Sequence, residues 1–193
     1  MKAGKPCFQR NETHHQMRIK RNKMKFKGIV ETHVGKVYYN HVKVPIDIYE
    51  KITADGNKRV LCYIDDHDYF HAGLLPTGDG TYYIILSKDR MKQLGLSVDQ
   101  QMSVKIEKDK SKYGMRMPEE FQEVLNTDVV GTSHFEKLTP GKKRNLIHMI
   151  ASTKTTDIRI VKALTILDHL KANDGKIDFK LLNEAMKVKN RKY

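Results

Sequence analysis

Residues 25 to 109 alternate short β-branched and aromatic runs with turn chemistry, and from residue 111 onward the apolar spacing becomes helical. That switch constrains the fold more than any other feature, because a period of two and a period of 3.6 bury different faces and cannot be exchanged. "KFKGIVETHV" reads as a first strand, Gly35 as a turn, and "VYYNHVKVP" as a second strand stopped by Pro45. "IDIYEKI" reads as a short helix and "KRVLCYI" as a strand. After an acidic turn at Asp65 to Asp68, "YFHAGLL" reads as one further strand. "TYYIIL", the helix "SKDRMKQLG" between Ser87 and Gly95, and "QMSVKIEKD" complete the series. In the last of these, Met102, Val104 and Ile106 share one face.

Two stretches share an order of elements. "VKVPIDIYEKI" leading to "RVLCYI" and "YIILSKDRMKQLGL" leading to "SVKIEK" each read strand, polar stop, one or two helical turns, turn, strand. Such duplication suits a small closed or nearly closed barrel of two intertwined halves, which leaves few exposed edges.

In the helical part, Pro118 is expected at a helix N1 position with Glu119 and Glu120 in the first turn and Phe121, Val124 and Leu125 on one face. Pro140 opens a helix carrying Leu146, Met149 and Ile150. The next helix is expected to bury Ile160, Val161, Leu164, Leu167 and Leu170. A last helix, about residues 178 to 188, follows the turn at Asn173-Asp174-Gly175 and presents Phe179, Leu182 and Met186. The expected organisation is a basic leader over 1–24, a barrel over 25–110, helices over 111–188 and a basic tail over 189–193. Met17 and Met24 are alternative translation starts beside Met1.

The net charge of +13 is concentrated at the ends: residues 1 to 27 carry +8, residues 185 to 193 carry +4, and +1 is left for everything between. A basic groove on the folded body is not indicated, whereas basic tails can touch nucleic acid or an anionic surface. No stretch approaches the roughly 18 consecutive apolar residues of a membrane-spanning helix, and the N-terminus lacks the apolar region of a secretory signal. A cytoplasmic protein is therefore expected. Cys7 and Cys62 stand far apart in dissimilar contexts, which points to two free thiols.

Gly78-Asp79-Gly80 raises the question of a phosphate cradle. The residues that follow, Thr81 to Leu86, read as a strand and not as a helix N-terminus, so the glycines are expected to turn a hairpin. Asp65, Asp66, His67, Asp68 and His71 are all competent metal ligands, but on a strand His67 and His71 lie about 13 Å apart, too far for one ion. An acidic turn with two exposed histidines is the expectation there. "NDGKIDF" fails as a calcium loop, because counting from Gly175 as the sixth position puts Leu170, Ala172 and Leu181 at the first, third and twelfth. No nucleophile constellation, metal site or cofactor motif is read from the sequence. Lys142, Lys143 and Arg144 form the one basic cluster in the body and, with Lys154 and Arg159, are the residues named for anion or nucleic-acid contact.

"VKVP", "GLLPTGDGTYYIILSKDRMKQLGLSVDQQMSVKIEKD" and the tail "MPEEFQEVLNTDVVGTSHFEKLTPGKKRNLIHMIASTKTTDIRIVKALTILDHL" together resemble the bacteriocin-protection, or YdeI/OmpD-associated, family with a small β-barrel domain of unknown function in front. Pro118, Phe135, Leu138, Pro140, Lys154, Asp157 and Arg159 follow the family's order. Two positions depart from its pattern: Asp99-Gln100 replaces a glycine-aspartate pair, and Ile158 replaces a threonine before Arg159. The resemblance implies an α+β fold, a small double-split barrel like that of dimeric AbrB-type regulators followed by a helical domain, and no catalytic mechanism. The expectation is a non-enzymatic binding protein, monomeric or homodimeric, bacterial and linked to stress resistance, whose partner is a small molecule, a peptide or a protein. The alternative is a nucleic-acid-binding regulator using the barrel and the basic tails.

Overall fold

The computed structural model describes residues 23–35 and 38–190. Most of the expected leader, Cys7, Met17 and residues 191–193 of the tail lie outside the described residues. Seven strands and two short helices come first: β1 (Met24–His33), β2 (Tyr39–Val44), α1 (Ile46–Ile52), β3 (Arg59–Ile64), β4 (Phe70–Gly73), β5 (Leu75–Pro76), β6 (Tyr82–Leu86), α2 (Lys88–Gln93) and β7 (Gln101–Lys108). Five helices follow: α3 (Glu119–Thr127), α4 (Val129–Glu136), α5 (Pro140–Ala151), α6 (Thr156–Ala172) and α7 (Phe179–Asn190). Met24, expected to end the leader, opens β1.

The strands form one antiparallel sheet in the order β4-β3-β7-β1-β2-β6-β5. β4 and β5 stand at opposite ends of that order yet are joined only through Leu74, so chain continuity brings the two edges together into a nearly closed barrel. This is why "YFHAGLL" is not the single strand its pattern suggests. Phe70 to Gly73 pair with β3, and Leu75 and Pro76 cross to β6. The duplicated order also has a structural counterpart. β2 of the first half pairs with β6 of the second, and β3 pairs with β7, so each half supplies one strand to each pair. Both pairs form within one chain.

Period-two alternation fills the interior: Val60, Cys62 and Ile64 of β3 face Met102, Val104 and Ile106 of β7, with Val30, Val42, Ile84 and Leu86 completing the core. Each such side chain contributes roughly 1.5–3 kcal/mol on burial. Pro45 ends β2 and heads α1, and Ser87 Oγ accepts from Arg90 N at 3.2 Å to cap α2. Asp79 Oδ1 accepts from Thr81 N at 2.9 Å and from Thr81 Oγ1 at 2.7 Å, pinning a tight turn between β5 and β6. Gly78 and Gly80 both take positive φ there, at 97° and 86°. The glycines turn the chain, and no helix N-terminus follows them.

The helices pack around α6, which touches α3, α4, α5 and α7. The buried sector of α6 is Ala163, Ile166, Leu167 and Leu170, with Thr165 Oγ1 donating to Val161 O at 2.6 Å. Ile160 and Leu164, expected inside, are 37% and 46% exposed. A central helix ringed on several sides has more than one apolar register, and its neighbours select between them. α4 was not evident from the sequence; Asp128 Oδ1 caps it by accepting from Gly131 N at 2.8 Å. Pro118 sits one residue earlier than expected, as the N-cap of α3.

Candidate functional site

Barrel and helices are linked by residues 109–118, and a cavity of about 180 Å³ opens where that segment passes between β3 and the start of α5. Arg59 opens β3, and its side chain leans toward the helices, where Nη2 donates to Gly114 O at 2.6 Å. Gly114 has a φ of 69°, and a Cβ on it would lie 3.2 Å from Arg59 Nε and 3.8 Å from Arg144 Cδ. The missing side chain lets the linker run between the two arginines.

The carboxylates around this cavity already have partners. Glu136 accepts from Lys112 Nζ at 2.7 Å, Tyr113 Oη at 2.7 Å and Lys143 Nζ at 2.8 Å. Burial pushes the Glu136 carboxyl up, but those donors outweigh it and hold it down at about 2. Asp109 accepts from Ser111 N at 2.9 Å and Ser111 Oγ at 2.6 Å, and its Oδ2 lies 2.7 Å from His71 Nδ1. Burial raises the Asp109 carboxyl, and the bonds from Ser111 and His71 more than offset it, leaving it below its ordinary value. His71 is therefore not the exposed histidine expected from the acidic turn. The cross-strand register brings it to a residue 38 positions away.

Arg59 and Arg144, by contrast, form no ion pair among the described residues. Arg59 Nε is buried with no hydrogen-bond partner. Desolvation, followed by the nearby charge of Arg144, lowers the pKa of Arg59, opposed by Asp109. Two guanidinium groups thus stand close together with Asp109 as their one nearby acid, itself bonded to Ser111 and His71, and an incoming anion relieves their repulsion.

The sequence-derived set divides between two places. Lys143 and Arg144 line the cavity, while Lys142 beside them points to solvent. Lys154 is exposed beyond the far end of α5, about 18 Å along the helix axis. Arg159 is bound locally, with Nε donating to Thr153 O at 2.8 Å and Nη1 lying 3.2 Å from Glu120 Oε1. It borders a separate hollow of about 420 Å³ with Arg116 and Glu120. Arg59, Lys112 and Gly114 were missed. Arg59 is embedded in a strand-like run, and no local signal marks it as reaching another part of the molecule. Among the described residues no group of three or more His, Cys, Asp or Glu is arranged to hold a metal ion, and no helix is long and apolar enough to cross a membrane.

No curated protein matches this chain. Residues 26–106 match the family model of a domain of unknown function, DUF1905. Residues 115–173 match the model described as Bacteriocin-protection, YdeI or OmpD-Associated. The junction between the two matches, residues 107–114, contributes Asp109, Ser111, Lys112, Tyr113 and Gly114 to the cavity. The barrel is thus similar to a DUF1905 domain and the helical part to the bacteriocin-protection, YdeI or OmpD-associated family.

Proposed function

We propose that this chain is a cytosolic, non-enzymatic binding protein that seats the anionic group of a small ligand between its barrel and its helices. The observation that carries the reading is the Arg59–Arg144 pair, in which one guanidinium keeps a buried Nε with no acceptor. The cavity, at about 180 Å³, is smaller than the roughly 300–1,000 Å³ of sites that enclose a whole drug-sized ligand, so it suits a phosphate or carboxylate head group. The rest of such a ligand extends into solvent.

Non-enzymatic binding is supported by the way Asp109 is used. His71 and Ser111 both bond to the carboxylate, so the imidazole does not stand between acid and hydroxyl as proton relay in a triad requires. Retention of an anionic ligand is also a physical route to the protective role in the family's description, and a bacterial stress-resistance setting follows from it as part of this proposal.

The test is calorimetric titration of the full chain with inorganic phosphate, acetate and simple phosphate monoesters. Binding is expected, and Arg59→Met or Arg144→Met should each weaken it about 10- to 100-fold, the range of a lost charge-assisted hydrogen bond. Unchanged affinity in both variants, or steady turnover of a phosphate ester that depends on His71, overturns the proposal.

A further inference from the structure

The outer face of β1, β7 and β3 carries an arrangement that sheet stability alone does not favour. In the antiparallel register Lys25 stands directly opposite Lys105, and Lys105 stands opposite Tyr63. Like charges placed opposite one another oppose pairing. Lys27 extends the row on the same side of β1, opposite Ser103, and Lys23 lies beyond Lys25. Lys25 and Lys27 are both exposed.

Aromatic rings are interleaved with these cations. The ammonium groups of Lys23 and Lys105 sit 4.7 Å and 4.8 Å from the centre of the Tyr63 ring. Tyr69 packs against Tyr63 at 5.7 Å between centroids and against His71 at 5.7 Å, yet remains 50% exposed. Tyr63 thus gathers lysines at the surface while Tyr69 keeps a ring open beside them. Of the acids nearby, Glu107 is buried with Tyr63 Oη 2.6 Å away, and Asp65 Oδ1 accepts from Ser103 N at 2.9 Å, while Asp65, Asp66 and Asp68 are exposed in the turn before Tyr69. A shallow groove of about 570 Å³ runs along this face, bordered by Lys25, Lys27, Gln101 and Ser103 and by one acid, Asp65.

We propose that this face binds single-stranded nucleic acid, its phosphates on Lys25, Lys27 and Lys105 and a base stacked on Tyr69. A row of cations beside an accessible aromatic ring matches a flexible polyanion with exposed base faces. A duplex keeps its bases stacked inside and offers Tyr69 nothing. The site is distinct from the Arg59–Arg144 cavity, so either proposal can fail alone.

The experiment is fluorescence anisotropy of a labelled oligothymidylate, about twelve nucleotides long, with the full chain across a salt series. Binding is expected to weaken with salt, and Lys25→Gln combined with Lys27→Gln should reduce the log–log salt slope by about 1.4, at roughly 0.7 per phosphate contact. Tyr69→Ala should weaken binding at least about fivefold, the lower end of one lost base stack. Lys88→Gln with Lys92→Gln, the same charge change on exposed lysines of α2, should leave the slope within error. Four results overturn the proposal: no binding at low salt, an equal effect of the two lysine pairs, a duplex bound as tightly as the single strand, or binding confined to vesicles of anionic lipid. The exposed Lys pairs leave the core untouched, so the test stands even where Tyr69→Ala lowers stability.

Discussion

Glu136 Oε2 accepts from Lys143 Nζ at 2.8 Å while Oε1 takes both Lys112 and Tyr113, so one carboxylate of α4 ties the linker to the start of α5. Its pKa is held at about 2 against an ordinary value near 4.5. A lowered carboxyl pKa means that the unfolded chain binds the proton more readily, so the contribution is complete above pH 4.5 and is lost as pH falls toward about 2. Glu136→Gln should cost about 1–3 kcal/mol at neutral pH. In denaturant titrations the gap between variant and parent should narrow as pH drops through that window. A gap independent of pH would show that packing, and not charge, holds the junction.

Gly28 marks the tightest approach in the barrel wall. A Cβ there would come within 2.4 Å of Val42 Cγ2 and 3.2 Å of Val104 Cγ2, on the strands at either side of β1. Gly28→Ala should destabilise by about 1–3 kcal/mol through overpacking. Thermal unfolding followed by circular dichroism measures the loss, and an unchanged melting temperature would mean that the wall is slack.

For the Gly78-Asp79-Gly80 turn the expectation is a purely conformational cost. Nothing lies within 4 Å of a Cβ built on Gly80, whose φ is 86°. Gly80→Ala should therefore cost about 1–2 kcal/mol of backbone strain and leave phosphate affinity in calorimetry unchanged. Loss of phosphate binding in this variant would restore the cradle reading.

Cys62 is fully buried among barrel residues, and burial pushes its thiol up to about 12. In a Cys7→Ser background, disulfide-exchange reagents should label Cys62 only as fast as the barrel opens, with the rate rising in denaturant. Rapid labelling of the native protein would contradict the packed interior.

Apart from α4 and the split of "YFHAGLL", the strands and helices were readable because period-two and period-3.6 patterns occupy different segments, and Met102, Val104 and Ile106 occupy the core face their alternation implied. Asp99 gives a finer instance: it takes a φ of 62° where the resembling family carries glycine, so the turn conformation is kept without the usual residue. Where periodicity was ambiguous the sequence misled, as with Ile160 and Leu164 on α6. The candidate cavity was half visible. Lys143 and Arg144 adjoin in sequence, but Arg59 reaches them from a residue 85 positions from Arg144, and only the linker's path past Gly114 brings them together.

The sequence by itself determined most of the strands and helices, though not α4 or the split of "YFHAGLL" into β4 and β5, and it showed that two halves repeat, because these depend on local periodicity and backbone preference. Only the tertiary structure decided that β2 pairs with β6 and β3 with β7, that His71 meets Asp109, and that Arg59 faces Arg144. Those relationships depend on which surfaces meet after long loops close, and neither the spacing nor the type of neighbouring residues encodes them.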